Sequence, residues 1–258
     1  MSTAPALLDP AAQAIHQAAQ QPTQQATTAR FDIYAGIHKA LRTLMGDILG
    51  RLGRCDLDHP GDLRDTLDRT DLMLDLMASH VDSENTVIHT AIEARLPQGA
   101  RQTTEDHIEH QHSIAALRQD VQALRVAQSV QRPLLARHLY RQMALFVAEN
   151  LEHMHVEETA NNATLWSLFT DAEIGQLEGQ IVSRLSPEKM MAYMRWFAVG
   201  LSTAELTGLL QAMRLGAPAE AFEATLTLIK GELSPERWDR LATALQMGNL
   251  MPASTATH

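Results

Sequence analysis

The chain of 258 residues contains a single cysteine, Cys55. An intramolecular disulfide is therefore impossible, and zinc or iron–sulfur sites built from four cysteines are excluded. Aromatic residues make up only 4% of the chain, and there are 13 glycines and 10 prolines. Because Ala, Leu and Met are abundant and runs of β-branched residues are few, the composition predicts an all-α protein.

Positively charged residues are also fewer than negatively charged ones, with 21 Lys and Arg against 31 Asp and Glu. Nucleic acids and anionic membranes attract clustered positive charge, so neither is an expected partner. No apolar run reaches the roughly 18 residues that a membrane span requires. The sequence also lacks a basic start followed by an apolar core, which a secretory signal needs, and the cytoplasm is the expected location.

Composition and helix breakers divide the chain into four segments. Residues 1–29, rich in Ala, Gln and Thr, are expected to form a mobile tail, and residues 249–258 a frayed one. In residues 30–166, apolar side chains recur at helical spacing in four stripes. Breakers at Pro60-Gly61, Leu96–Gly99 and Arg132-Pro133 separate the stripes. Four long helices with short connections predict an antiparallel up-down-up-down four-helix bundle.

Residues 167–248 are predicted to form a smaller helical C-terminal region. Ser186-Pro187-Glu188 and Ser234-Pro235-Glu236 each combine a capping Ser, a Pro at the first helical position and an acid in the first turn. Three further segments look like helix starts, at Thr170, Ser202 and Ala217. We therefore expect about five short helices here. The region contains no histidine before His258, so we expect no metal chemistry in it.

Twelve histidines are a high count for this length, and some of them are placed as metal ligands would be. His80 and Glu84 are four residues apart, and so are His153 and Glu157. Residues four apart project from one face of a helix, so each pair can present two ligands to one site.

The loop positions indicate that these residues lie in one layer. In an antiparallel hairpin, residues at the same height are equidistant from the connecting loop. The midpoint between His38 and position 82, the centre of the first pair, is Pro60 in the first breaker. The midpoint between position 82 and His110 is Leu96 in the second breaker, and the midpoint between His110 and position 155 adjoins Pro133 in the third. All three loops fall where a single layer of ligands requires them.

The layer predicts a metal site with six ligands, namely His38, His80, Glu84, His110, His153 and Glu157. Burial of four imidazoles and two carboxylates is costly without a compensating positive charge, which a metal supplies. Imidazole with carboxylate suits iron, zinc, manganese or copper. Two irons, bridged by the two glutamates and each with terminal histidines, are the simplest arrangement that uses all six.

Four segments carry these residues: Ile37–Leu41, His80–Glu84, His110–Leu117 and Leu151–Glu158. In order, spacing and residue type they resemble the hemerythrin-like (HHE cation-binding) family over residues 31–166. The resemblance implies a four-helix bundle that holds a non-haem di-iron centre. It implies that the four histidines bind iron and that the two glutamates bridge the irons. Residues 170–250 resemble the helical extension of some bacterial members, to which we attach no activity.

The third predicted helix departs from the family. Members that carry O2 have a fifth histidine one turn before His110, and that position here is Asp106. His107 could serve instead, or Asp106 could itself bind; if neither does, one iron keeps an extra open position. Glu158 is an alternative to Glu157, through a small rotation of the fourth helix.

The remaining histidines near the site are expected to lie outside it. His89 is nine residues from His80 and therefore on the opposite helix face. His112 and His155 are each two residues from a proposed ligand, about 200° around the helix. We interpret all three as surface, rim or outer-shell groups. Tyr34, one turn before His38, is expected in the core.

The resemblance implies a protein that binds or senses a small oxidant, namely O2, NO or peroxide. A di-iron oxidoreductase that removes peroxide or NO, or oxidises a small substrate with O2, is the alternative. Iron storage, or an interaction module gated by iron, is a second alternative, with a protein partner or self-association through residues 170–248. No separate nucleophile or acid–base pair is evident, so no catalytic residue is predicted beyond the ligands.

Overall fold

The computed structural model describes residues 30–246, in which every regular element is helical. The all-α prediction is therefore confirmed for these residues. The predicted tails, residues 1–29 and 249–258, lie outside the described part of the chain. No helix within residues 30–246 has the length and apolar character that a membrane crossing demands.

Residues 35–168 form four long helical stretches, which we call the long-helix region. Their α-helical elements are α1 (Ala35–Arg54), α2 (Pro60–Ser83), α3 (Thr90–Arg95), α4 (Arg101–Arg125), α5 (Arg132–Val156) and α6 (Asn162–Leu168). A π-helical segment, Glu84–His89, joins α2 to α3, and a second one, Glu157–Asn161, joins α5 to α6. The predicted breakers fall between the stretches. Helix α2, for example, begins at Pro60, and the His59 side chain before it accepts a hydrogen bond from the backbone N–H of Asp62 at 3.1 Å.

The long stretches pack against one another through their apolar stripes. Helix α1 contacts α2 and α5, and α4 contacts the same two helices, so each stretch has two neighbours. The core between them is fully apolar at its centre, with Leu41, Leu44, Met45, Leu74, Val121, Leu139 and Met143 at most 1% exposed. Burial of such side chains stabilises the fold by about 1.5–3 kcal/mol each.

Five short helices come after the long-helix region and form the C-terminal region. They are α7 (Asp171–Arg184), α8 (Pro187–Gly200), α9 (Thr203–Gly216), α10 (Ala219–Glu232) and α11 (Pro235–Ala244). The five predicted helices are therefore present. Their first residues recur every 16 positions. Thr170 with Glu173, and Ser202 with Glu205, form capping boxes that satisfy the free N–H groups of α7 and α9.

The C-terminal region packs on the long-helix region mainly through α8. Helix α8 lies along α1, where Gly200 comes so close that a Cβ would stand 3.0 Å from the backbone oxygen of Lys39. The buried Tyr193 hydroxyl donates a hydrogen bond to the backbone oxygen of Leu76 at 2.7 Å. Helix α10 packs on α8, α11 packs on α9, and α7 contacts the first π-helical segment. The C-terminal helices are thus close to the predicted ligand layer.

Candidate metal centre

The two predicted glutamate ligands occupy matching positions in the fold. Glu84 is the first residue of one π-helical segment and Glu157 the first residue of the other. A π-helical turn inserts one extra residue into an α-helix, and such turns are frequent at functional sites. Both carboxylates are buried, with Glu84 2% and Glu157 0% exposed.

Two groups of potential ligands share these glutamates. One group contains His38 and His80 with Glu84 and Glu157, and the other contains His107 and His153 with the same two glutamates. Within each group the ligand atoms lie within 4.8 Å of one another, and all of these residues are buried. The arrangement therefore offers two adjacent cation sites with two carboxylates in common.

The distances around Glu157 show this two-sided pattern. Its Oε2 lies 3.3 Å from Nε2 of His38, whereas its Oε1 lies 3.3 Å from Nε2 of His153 and 3.6 Å from Nε2 of His107. One oxygen thus faces each group, which is the geometry of a bridging carboxylate.

Glu84 lies between the groups in a similar way. Its Oε1 is 3.7 Å from Nε2 of His38, and its Oε2 is 3.3 Å from Nε2 of His80 and 3.5 Å from Nε2 of His107. Both glutamates therefore contact histidines of both groups.

Three of the clustered histidines are held by partners outside the cluster. The Nδ1 atom of His38 contacts Glu158 at 3.1 Å, and Glu158 receives two hydrogen bonds from Arg42 at 2.6 and 2.9 Å. The Nδ1 atom of His107 contacts the Asn85 side-chain oxygen at 2.8 Å. Metal-binding histidines in general donate their second ring N–H to such a carboxylate or carbonyl, which fixes the tautomer and the ring orientation.

His153 has the same kind of support from Asp106. The Nδ1 atom of His153 lies 3.3 Å from Oδ2 of Asp106. Asp106 and Glu158, the two carboxylates considered as alternative ligands, therefore contact the outer edges of histidines. With the outer nitrogens occupied in this way, the Nε2 atoms of all three histidines face the glutamates.

Several polar atoms in the cluster have no hydrogen-bond partner although they are buried. They are Nε2 of His38, Nε2 of His80, both carboxylate oxygens of Glu84 and both of Glu157. Burial of a charged or polar group without a partner is expensive, and native proteins rarely tolerate it. Six such atoms facing one another fit the requirement of a bound cation, and the nitrogen and oxygen donor set suits iron, manganese or zinc.

The electrostatics of the cluster keep the carboxylates ionised. Burial and mutual repulsion raise the pKa of Glu84, but the surrounding histidines outweigh both effects and bring this pKa to about 2. Burial lowers the pKa of His107, but its contacts with the two carboxylates at 3.5 and 3.6 Å outweigh burial and raise it to about 9. Burial dominates at His80 and lowers its pKa to about 4. Metal binding needs ionised carboxylates and neutral imidazoles, so Glu84 and His80 already have the required form. The carboxylates raise the pKa of His38, His107 and His153, so these three imidazoles must release a proton when a metal binds.

His110, a predicted ligand, lies beside the cluster and is absent from both ligand groups. Its ring centroid is 4.7 Å from that of His153 and 6.3 Å from that of His107, and its buried Nδ1 atom has no hydrogen-bond partner. It lines a polar cleft of about 430 Å³, together with His153, Asp106, Glu109, Glu149 and Glu152. His107, considered as a substitute ligand, is the histidine that α4 contributes to the cluster.

His89 is an outer-shell group of the cluster, which is one of the positions expected for it, but it does not lie on the opposite helix face. It is 4% exposed and stacks on His107, with ring centroids 4.8 Å apart and an interplanar angle of 13°. Thr103 and Thr104 hold its two ring nitrogens at 3.3 and 3.1 Å. The prediction that His89 lies on the opposite face was wrong, because the π-helical segment between Glu84 and His89 adds a residue to the turn and rotates the residues after it.

Other polar residues behave as expected or were missed. His112 and His155 are exposed, and Tyr34 is fully buried, with its ring 5.3 Å from that of His38. Arg42 and Asn85 were not predicted from the sequence. Their positions carried a weak signal: Arg42 is one helical turn after His38, and Asn85 comes directly after Glu84.

A second cavity adjoins the cluster on the His80–Glu84 side. Its volume is about 140 Å³, and its lining is mostly apolar and comes from both the long-helix region and the C-terminal region. The polar cleft beside His110 and His153 shares none of its lining residues.

No family model matches the chain, and comparisons with curated proteins and with solved structures also find no match. The chemistry of the cluster must therefore be inferred from its own residues.

Proposed function

We propose that the long-helix region is an antiparallel four-helix bundle of the hemerythrin-like type, with a di-iron centre at its core. The observation that carries the proposal is the set of six buried, unpartnered polar atoms on His38, His80, Glu84 and Glu157. Two cations would partner these atoms and compensate the two buried carboxylates. The resemblance of the sequence to the hemerythrin-like family favours iron as the metal.

The residues divide naturally between two metal ions. His38 and His80 would bind one ion, and His107 and His153 the other, with Glu84 and Glu157 as bridges. His110 is adjacent to His153, and a small movement of the His110 ring would add it to the ligands of the second ion. The first ion then has fewer histidines than the second. An open coordination position is therefore expected on the His38–His80 side, which the apolar cavity adjoins.

We propose that this open position binds a small oxidant, namely O2, NO or peroxide, in a carrier or sensor role. Iron supplies the redox chemistry when bound. The chain's residues ligate and bridge it, and the outer contacts of Arg42, Glu158 and Asn85 orient the ligands. The apolar wall restricts the access of water.

The direct test is the metal content per chain after anaerobic, iron-replete purification. We expect about two irons per chain in the natural protein and a loss of iron in the isosteric variants Glu84→Gln and Glu157→Gln. Glu105→Gln, an exposed change on α4, is the matched control and should retain both irons. A chain that holds no metal, or a single zinc, would refute the di-iron centre and leave a helical interaction module as the function to pursue.

A di-iron oxidoreductase is a second candidate, and the apolar cavity favours it. The cavity is larger than a diatomic molecule needs, and it lies against two of the proposed ligands. The two candidates differ in turnover. A carrier or sensor gives a stable spectrum on addition of O2 or NO, whereas an oxidoreductase consumes many equivalents of NO, peroxide or O2 per chain.

A further inference from the structure

We infer that the C-terminal helices build a binding site for a small, uncharged, largely apolar molecule against the His80–Glu84 side of the cluster. The inference builds on the proposed function, because it names the class of molecule that would reach the open side of the metal centre. From the sequence, the only role considered for these helices is a surface for a protein partner or for self-association.

The cavity that carries this inference is closed by two parts of the fold. The long-helix region contributes His80 and Glu84 together with Ile37 and Ile88, and Ile33 comes from the segment before α1. Helices α7, α8 and α9 supply the facing wall, which includes Ile181, Leu185, Met190, Met194, Phe197 and Leu209. Residues 178, 181 and 182 of α7, and Leu185 directly after it, recur at helical spacing and all line the cavity, so one face of this helix is directed towards it.

The size of the cavity indicates the size of the ligand. An apolar cavity of about 150 Å³, lined by Leu, Ile and Phe, is large enough to bind benzene or xenon. The present cavity has a volume of about 140 Å³. It therefore accommodates a molecule of about six to eight non-hydrogen atoms, which is larger than O2 or NO.

The lining also disfavours anionic ligands. No lysine or arginine is among its residues, and Glu178, the acid contributed by α7, is exposed. The hydroxyl groups of Tyr193 and Ser83 are already used in hydrogen bonds to the backbone oxygens of Leu76 and Ser79. An anion would therefore find no cationic side chain here, whereas an aromatic ring or a short alkyl chain matches the wall.

Three of the lining residues have buried polar atoms that lack a hydrogen-bond partner. They are the Tyr34 hydroxyl, Nε2 of His80 and the carboxylate oxygens of Glu84. With metal bound to His80 and Glu84, the Tyr34 hydroxyl is the free hydrogen-bond donor among them. A ligand with one oxygen atom at its end could accept this hydrogen bond while its apolar part contacts α7 and α8.

Fluorobenzene, observed by fluorine NMR with the full chain, is a suitable probe of this site. We expect a saturable shift or broadening of its signal with the natural protein. Ile181→Trp places a large side chain in the cavity from α7 and should abolish the saturable effect. Gln180→Trp adds the same side chain at an exposed neighbouring position of α7 and should leave binding intact. If Ile181→Trp fails to fold, Val182→Phe, at a half-exposed lining position, replaces it.

Metal substitution locates the probe relative to the cluster. In protein loaded with paramagnetic Co²⁺, bound fluorobenzene should broaden strongly, whereas diamagnetic Zn²⁺ should leave its line narrow. Any of three results would overturn the inference. They are no saturable binding of fluorobenzene, binding by Ile181→Trp equal to that of the natural protein, and equal line widths with Co²⁺ and Zn²⁺ when the protein retains both metals. Failure to retain either metal, with fluorobenzene binding intact, would instead count against the metal centre alone, because the cavity wall does not require the ions.

Discussion

Glu84 and Glu157 are structurally equivalent, since each stands four residues after a clustered histidine and each is the first residue of a π-helical segment. They lie on two different long helical stretches and share both histidine groups. An extra residue in a helical turn changes the direction of the side chains around it. The spacing of four residues from His80 and from His153 directs both carboxylates to the same space between the helices, and the insertions change the direction of the side chains that follow them.

Removal of the metal should destabilise the fold, because Glu84 and Glu157 would lose the cations that compensate their buried charge. Metal present at about 100 times its dissociation constant contributes about 2.7 kcal/mol to the free energy of unfolding. For a domain of this size, that corresponds to a decrease in Tm of about 5–10 °C on chelation. Differential scanning calorimetry before and after chelation measures the change, and an unchanged Tm would contradict a stoichiometric buried site.

Arg42→Met should weaken metal binding although Arg42 contacts no proposed ligand atom directly. Arg42 holds Glu158, and Glu158 in turn contacts Nδ1 of His38. Loss of such an outer partner costs about 10- to 100-fold in metal affinity. Competition with a chromophoric chelator measures this. Arg51→Met, which removes a half-exposed pair with Asp47 on the same helix, is the control and should bind metal normally.

We expect the three histidines of α4 to differ in how much they contribute to metal binding. His107→Gln should lose one metal ion per chain, since His107 lies within 3.6 Å of both glutamates. His110→Gln should weaken the binding of the same ion to a smaller extent, because His110 lies outside the ligand groups. His112→Gln should retain both ions, since His112 is exposed. Elemental analysis of the three variants gives the order, and loss of metal in His112→Gln would mean that the wrong face of α4 had been assigned.

Gly200→Ala should destabilise the docking of the C-terminal region. A Cβ at this position would lie 2.9 Å from the Thr43 hydroxyl oxygen and 3.1 Å from Cα of Ala40, and the backbone of α1 cannot easily move away. Overpacking of this kind costs about 1–3 kcal/mol. Gly208→Ala is the matched control in α9, where a Cβ meets nothing within 4 Å.

The control should instead gain about 0.5–1 kcal/mol, because alanine loses less backbone entropy in a helix than glycine does. Urea unfolding of both variants measures the two free energies. A gain in stability for Gly200→Ala would contradict the close packing of α8 on α1.

The helical architecture was largely predictable from local signals. Pro60, Arg132 and Pro133 stand at helix starts, and Ser and Thr caps precede four of the five C-terminal helices where they were expected. These features act over a few residues, so a single sequence contains them. Of the six predicted ligands, five are brought together in the two ligand groups, and His110 lies beside them.

The details of the site depend on geometry that the pattern does not contain. Helical spacing at 100° per residue places His89 on the far side of its helix, but the π-helical segment brings it against His107. The outer partners Arg42 and Asn85 are ordinary surface residue types, and only the three-dimensional packing shows that they hold His38 and His107.

The regular spacing of the C-terminal helix starts has a consequence for how this region can change in length. Helix α10 packs on α8, and α11 packs on α9, so each of the last two helices packs on the helix two positions before it. The cavity against the cluster draws its C-terminal lining from α7, α8 and α9 only. Additional helices of the same 16-residue spacing after α11 would therefore lengthen the C-terminal region and leave the cavity beside His80 and Glu84 unchanged.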